Sequence, residues 1–100
     1  MTKQDVINQI SQQTGQDPLT NRTVLESFFA VVKQQLAAGE AIYVRGFGSF
    51  VPTRRGAKIA RNISQNTAHP IDAHVLPVFK PSAEFKEQVR ARSADINQLT

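Results

Sequence analysis

Residues 41–71 read AIYVRGFGSFVPTRRGAKIARNISQNTAHPI. Ala41 to Arg45 alternates and is rich in β-prone side chains, which predicts a strand. Gly46-Phe47-Gly48 predicts a turn that carries one large apolar side chain, and Ser49-Phe50-Val51 resumes the strand. Residues 53–62 are polar and basic, Ser64-Gln65-Asn66-Thr67 is a turn-like cluster, and His69 to His74 is expected to return as the second strand of a long hairpin. The stretch holds five cations, Arg45, Arg54, Arg55, Lys58 and Arg61, and no anion. Outward from it the imbalance disappears. Residues 1–40 carry Lys3, Arg22 and Lys33 against Asp5, Asp17, Glu26 and Glu40, and in residues 72–100 four bases meet four acids. The net charge of +4 is therefore concentrated in the middle third, and a field of one sign wants a polyanion, of which nucleic acid is the most abundant in a cell.

The hairpin is short of core-forming residues, since only Ile59, Ile63 and Ile71 are large and aliphatic. A two-stranded ribbon alone is marginal in water, so ordering one is worthwhile when it meets something else. Arg and Lys along a ribbon match the phosphates on either side of a DNA groove. A solvated basic loop is the competing reading. Ile63, flanked by Arg61, Asn62 and Ser64, is either a wedge for a base step or a small contact, inside the arm or across to Ile71. Phe47 and Phe50 are expected in the core rather than stacked on bases, because one face of the sheet needs cover.

Toward the N-terminus the period changes from 2 to 3.6. Val6, Ile7 and Ile10 mark an amphipathic helix between a Thr2 N-cap and Gly15. Asp17 and Pro18 open a second helix, which Gly39 follows. Leu25, Phe28, Phe29, Val32 and Leu36 form its stripe, with Val24 and Val31 off centre. So much apolar girth needs cover on more than one side, which points to dimerisation over a purely intramolecular core. Toward the C-terminus, Val75-Leu76-Pro77-Val78-Phe79 predicts a strand that Pro77 places at an edge or bend. A last helix opens near Pro81-Ser82 with Phe85 and Val89 facing inward.

One hundred residues, 40% of them apolar, suit a single globular domain. No run approaches the ~18 apolar residues of a membrane span. Asp5 and Asn8 interrupt the apolar block that a secretory signal needs, so the expected compartment is the cytoplasm. There is no cysteine, hence no disulfide and no cysteine zinc site. His69 and His74, five apart on one expected strand, project to opposite faces and make no metal pair. No glycine-rich phosphate loop is present, and Glu84 and Glu87 read as solvated helix residues. No enzyme, cofactor, metal or small-molecule substrate is expected.

Gly46-Phe47-Gly48-Ser49-Phe50, then Arg54-Arg55, Ala60-Arg61-Asn62-Ile63 and Pro77-Val78-Phe79-Lys80-Pro81 resemble, in order and spacing, the HU and integration host factor family of bacterial DNA-bending proteins. The resemblance spans residues 1 to about 92. It implies an α+β fold: an intertwined dimer with a helical base, a three-stranded antiparallel sheet saddle and long β-ribbon arms. It implies one domain over 1–92, with helices about 3–14, 18–38 and 82–92, an arm about 52–75, and a tail at 93–100. Minor-groove benders, of which HU and integration host factor are themselves the known examples, kink DNA with apolar wedges. By position the resemblance implies DNA contacts from Arg54, Arg55, Lys58, Arg61, Asn62, Lys3, Lys80 and Lys86, a wedge at Ile63, and a dimer core of Leu25, Phe28, Phe29, Val32, Phe47, Phe50 and Phe79. The family's arm tip is Gly-Arg-Asn-Pro; here Ala60 and Ile63 take its first and last places. The implied function is binding, bending and compaction of duplex DNA in the bacterial nucleoid, by a homodimer or a heterodimer with a paralogue. The alternatives are a site-specific bender like integration host factor and a protein-interaction scaffold.

Overall fold

In a computed structural model the chain is described over residues 1–56, 58–62 and 67–92, with the backbone alone over 58–62 and 67–71. It forms two compact units, Met1–Gln35 and Leu36–Thr100.

The first unit is helical. Helix α1 spans Lys3–Thr14 and is closed at its start by a reciprocal capping box. The Thr2 hydroxyl accepts the Asp5 N–H at 3.3 Å, and the Asp5 carboxylate accepts the Thr2 N–H at 2.8 Å. Gly15 ends the helix in the left-handed region, φ 71°, and its N–H reaches the Ser11 carbonyl at 2.9 Å. Helix α2 spans Pro18–Ala37. The Asp17 carboxylate accepts the Thr20 N–H at 3.0 Å, and Pro18 occupies a first-turn position where no donor is needed. The Asn21 amide donates to Ser11 Oγ at 2.9 Å and ties the two helices together. Ile7 is the one fully buried large side chain among the described residues. Phe28 and Phe29 stay 39% and 42% exposed, and Val24 64%.

The second unit holds the strands. Strand β1 is Ile42–Val44, β2 is Gly48–Arg55, β3 is Lys58–Asn62, β4 is Thr67–Ile71 and β5 is His74–Pro81. An antiparallel three-stranded sheet runs β1-β2-β5, and β3 pairs with β4 in a separate two-stranded sheet. Helix α3, Ala83–Arg90, follows, with Ser82 Oγ accepting the Phe85 N–H at 3.1 Å. The expectation that His69 to His74 form one returning strand is corrected. Asp72 and Ala73 leave the ladder opposite the Gly56 region, so His69 lies on β4 and His74 on β5. Pro77 lies on the edge strand β5, directly opposite Pro52. A proline fits there because it has no N–H to give a further strand.

Register sorts the side chains by face. Ile42, Phe50 and Phe79 share one face of the sheet; Tyr43, Ser49 and Lys80 share the other. On the first face the phenylalanines cluster. Phe50 and Phe79 lie 5.0 Å apart by ring centroid, Phe47 and Phe79 5.0 Å, and Phe47 stacks on Phe85 at 5.3 Å. The turn between β1 and β2 feeds Phe47 into this cluster, and its carbonyl accepts the Ser82 N–H at 2.9 Å. Gly48 makes the approach possible. A Cβ there would stand 2.5 Å from the Lys80 carbonyl oxygen and 2.7 Å from the Phe79 ring. Gly48→Ala should therefore force the β2–β5 ladder or the Phe79 ring to shift, at about 1–3 kcal/mol. Urea denaturation measures it, and an unchanged midpoint would show that the sheet yields without strain.

Candidate nucleic-acid interface

Arg54 and Arg55 close β2, are exposed, and lie in register with Val75 and His74. As strand neighbours they project to opposite faces. Lys58, Arg61 and Asn62 continue the series on β3, in register with Ile71, Ala68 and Thr67. Positive charge thus passes from the end of the three-stranded sheet into the two-stranded one. Ile63 and residues 64–66 of the expected turn cluster 64–67 lie outside the described residues, as does the tail at 93–100, while Thr67 opens β4. Where the ribbon divides, His74 Nδ1–H donates to the Asp72 carbonyl at 2.8 Å.

Lys80 is exposed on β5 opposite Ser49, and Lys86 is exposed on α3. Lys3 is differently placed. Its ammonium donates to Glu26 Oε1 at 3.0 Å, and the Arg22 guanidinium stands 3.9 Å from the same oxygen while also donating to the Gln4 side chain. Sequence spacing gave no hint of Glu26, which lies 23 residues from Lys3. The Lys3 hydrogen bond, reinforced by its charge, holds the Glu26 carboxyl below its ordinary value of 4.5. The backbone N–H of Thr2 does the same for Asp5, below 3.8.

The residues assigned to a dimer core fall in two groups. Leu25, Phe28, Phe29 and Val32 lie on α2, the first and last half-buried, the phenylalanines partly exposed. Phe47, Phe50 and Phe79 come together in the second unit, joined by Phe85. Phe47 remains 42% exposed. Tyr43 and Arg45 formed no part of the expected site, yet both are exposed beside Lys80. The alternation of 41–45 marked Tyr43 as a strand residue, and the β1–β2 register places it on the face opposite Ile42. Among the described residues no group of three or more His, Asp or Glu side chains is placed to hold a metal ion.

The family model described as bacterial DNA-binding protein matches residues 1–90. The chain belongs to that family. Similar members include integration host factor subunit alpha of Maricaulis maris, 32% identical over 89 residues that make up 89% of this chain and 88% of that protein. The DNA-binding protein HU of Lactococcus lactis is 34% identical over 88 residues, covering 88% of this chain and 97% of that one. Among solved structures, an HU–DNA cocrystal structure from Anabaena matches at TM-score 0.81 and 25% identity, over 89% of this chain and 97% of that chain. The α+β architecture of three helices and a three-stranded antiparallel sheet is the HU fold.

Both shifted carboxyls have folded values below their ordinary ones. Each therefore stabilises the fold above its ordinary value, and that contribution is lost as pH falls through the lower folded value. Carboxyl NMR should show Asp5 titrating below 3.8 and Glu26 below 4.5. Lys3→Met should return Glu26 toward its ordinary value, whereas Thr2→Ala should return Asp5 only in part, because it removes the hydroxyl bond to that carboxylate and keeps the backbone N–H. A Glu26 midpoint unmoved by Lys3→Met would mean that the pair does not persist in solution.

Proposed function

We propose that this chain binds duplex DNA as a dimer, bends it with little sequence preference and compacts it, as a nucleoid-associated architectural protein. The observation that carries the reading is the run of cations from Arg54 and Arg55, exposed at the end of β2, to Lys58 and Arg61 on β3. They belong to a chain whose family includes an HU crystallised on DNA. Such a ribbon contributes affinity through counterion release, not base reading. Arg54 and Arg55, on opposite faces, suit a ribbon lying between two phosphate walls. Lys58, Arg61 and Asn62 extend the contact, and Lys80 and Lys86 meet flanking phosphates. Lys3 joins them by exchanging Glu26 for a phosphate. Ile63 acts as the wedge between base pairs, a part its apolar side chain suits. The work is binding and deformation, with no catalysis and no cofactor, in the cytoplasm and on the nucleoid. Residues 1–92 act as one DNA-binding domain, with 93–100 as a tail.

The dimer follows from burial. Phe28, Phe29 and Val24 on α2, and Phe47 in the second unit, leave apolar surface in water. Fully burying a side chain of this size stabilises by about 1.5–3 kcal/mol, and covering the part still exposed supplies a share of that. A second copy, or a paralogue, supplies that cover. Leu25, Phe28, Phe29 and Val32 in the first unit, and Phe47, Phe50 and Phe79 in the second, are the residues proposed for the dimer core.

If the dimer makes 6–10 phosphate contacts, affinity for duplex DNA should fall by about 10³–10⁵ between 50 and 200 mM salt. A mobility-shift titration reads this directly, alongside sedimentation, which should give twice the chain mass. A flat salt dependence would overturn the reading. Ile63→Ala should reduce the bend of a doubly labelled duplex, read by energy transfer, more than it reduces affinity. An unchanged bend angle would remove the wedge and leave the phosphate contacts standing.

A further inference from the structure

His74 stands at the root of the two-stranded ribbon. It opens β5, half-buried, directly opposite the exposed Arg55 that closes β2. We propose that His74 is a further DNA-backbone contact that works only when protonated: the imidazolium meets a phosphate and the neutral ring does not, so duplex binding is coupled to the charge of this one side chain. The proposal rests on the DNA-binding function given above and adds to it a residue and a pH dependence.

The tautomer decides which atom carries the switch. Nδ1 lies 2.8 Å from the Asp72 carbonyl oxygen. A carbonyl only accepts, so Nδ1 holds the hydrogen and the lone pair of the neutral ring is on Nε2. The second proton therefore enters at Nε2, and the bond to Asp72 persists in both charge states. Protonation adds a cation and a donor without undoing the contact that fixes the ring at the start of β5. Imidazole is also the side chain that ordinarily changes charge between about pH 5 and pH 8.

The charges around the ring are lopsided. Register places Arg55 and His74 on the face shared by Ser49 and Lys80, away from the phenylalanine cluster. Side chains directly opposite one another on a ladder have Cβ atoms ~4.5–5.5 Å apart, so Arg55 opposes a charge on the imidazole while DNA is absent. Arg54 belongs to the other face, and Lys58 opens β3 beyond Gly56. Lys80 is six residues along β5, roughly 20 Å away at about 3.3 Å per residue. Asp72, exposed two residues before His74, is the only acid between Glu40 and Glu84. A phosphate laid across the ribbon reverses this field, because it favours the charge that Arg55 resists. Arg55 and protonated His74 then face it together from two strands. Coupling of this kind is reciprocal: the duplex draws a proton onto the ring, and the proton tightens the duplex.

Mobility-shift salt titrations of the intact protein at about pH 5 and about pH 8 read the coupling. Affinity should be higher at the lower pH, with the slope of log affinity against log salt steeper by about 0.9 for each His74 that meets a phosphate. The second histidine, His69 on β4, is the internal control. His74→Gln keeps a side-chain donor for the Asp72 carbonyl and should shrink the difference between the two pH values, whereas His69→Gln should leave it. His74→Lys, charged at both, should hold the steeper slope throughout. Circular dichroism checks that each variant folds. Equal slopes in the unaltered chain, or a difference undiminished in folded His74→Gln, overturn the proposal while DNA binding stands. Loss of the difference in His69→Gln overturns the assignment to His74. Absence of any mobility shift at either pH overturns the parent reading and this one with it.

Discussion

A chain of 100 residues that fully buries one large side chain among those described cannot hold its shape by its own core. Ordering the backbone costs about 1–2 kcal/mol per residue, and apolar burial is the main term that offsets it. The phenylalanine cluster supplies part of that burial in the second unit, and Ile7 with the half-buried Leu25 and Val32 supplies part in the first. The remainder must come from outside the chain. A second copy is the economical source, because it brings the same partly exposed phenylalanines to the same faces, as a twofold interface requires.

That constraint orders the rest. The sheet needs one apolar face for the cluster, so Phe50 and Phe79 sit in register and Gly48 clears space for the ring. The other face is then released for polar work, and Tyr43, Ser49 and Lys80 occupy it. The strands run on beyond the cluster, where apolar residues thin out and cations take over. Arg54 and Arg55 stand at the end of β2, so the proposed DNA contacts begin where core packing ends.

Much of this was legible in residue order. Thr2 and Gly15 bracket α1, and Asp17-Pro18 opens α2, because capping is local chemistry set by neighbours along the chain. The period-2 alternation and Gly46-Phe47-Gly48 located the sheet for the same reason. The family signature then supplied the pairing of distant strands, which periodicity could not. The break at Asp72–Ala73 was hidden, since neither residue punctuates a strand as Gly or Pro does. The Lys3–Glu26 pair was hidden as well, because only the folded helical unit brings those positions together. Tyr43 was legible as a strand residue but not as a surface one, which follows only once register assigns Phe50 and Phe79 to the opposite face.

Pro52 and Pro77 explain how the ribbon can stay two strands wide. Strand β1 pairs with β2 only from Gly48 to Phe50, so by the level of Pro52 both β2 and β5 have an open edge. Such edges invite further strands, from this chain or another. Proline on both, in register, removes a donor from each edge at the point where the sheet becomes a ribbon. The restriction matters for the proposed work. A DNA minor groove about 6 Å wide must already open to admit a ribbon. A third strand would add about 4.8 Å across the ladder and make the ribbon too broad to follow the groove.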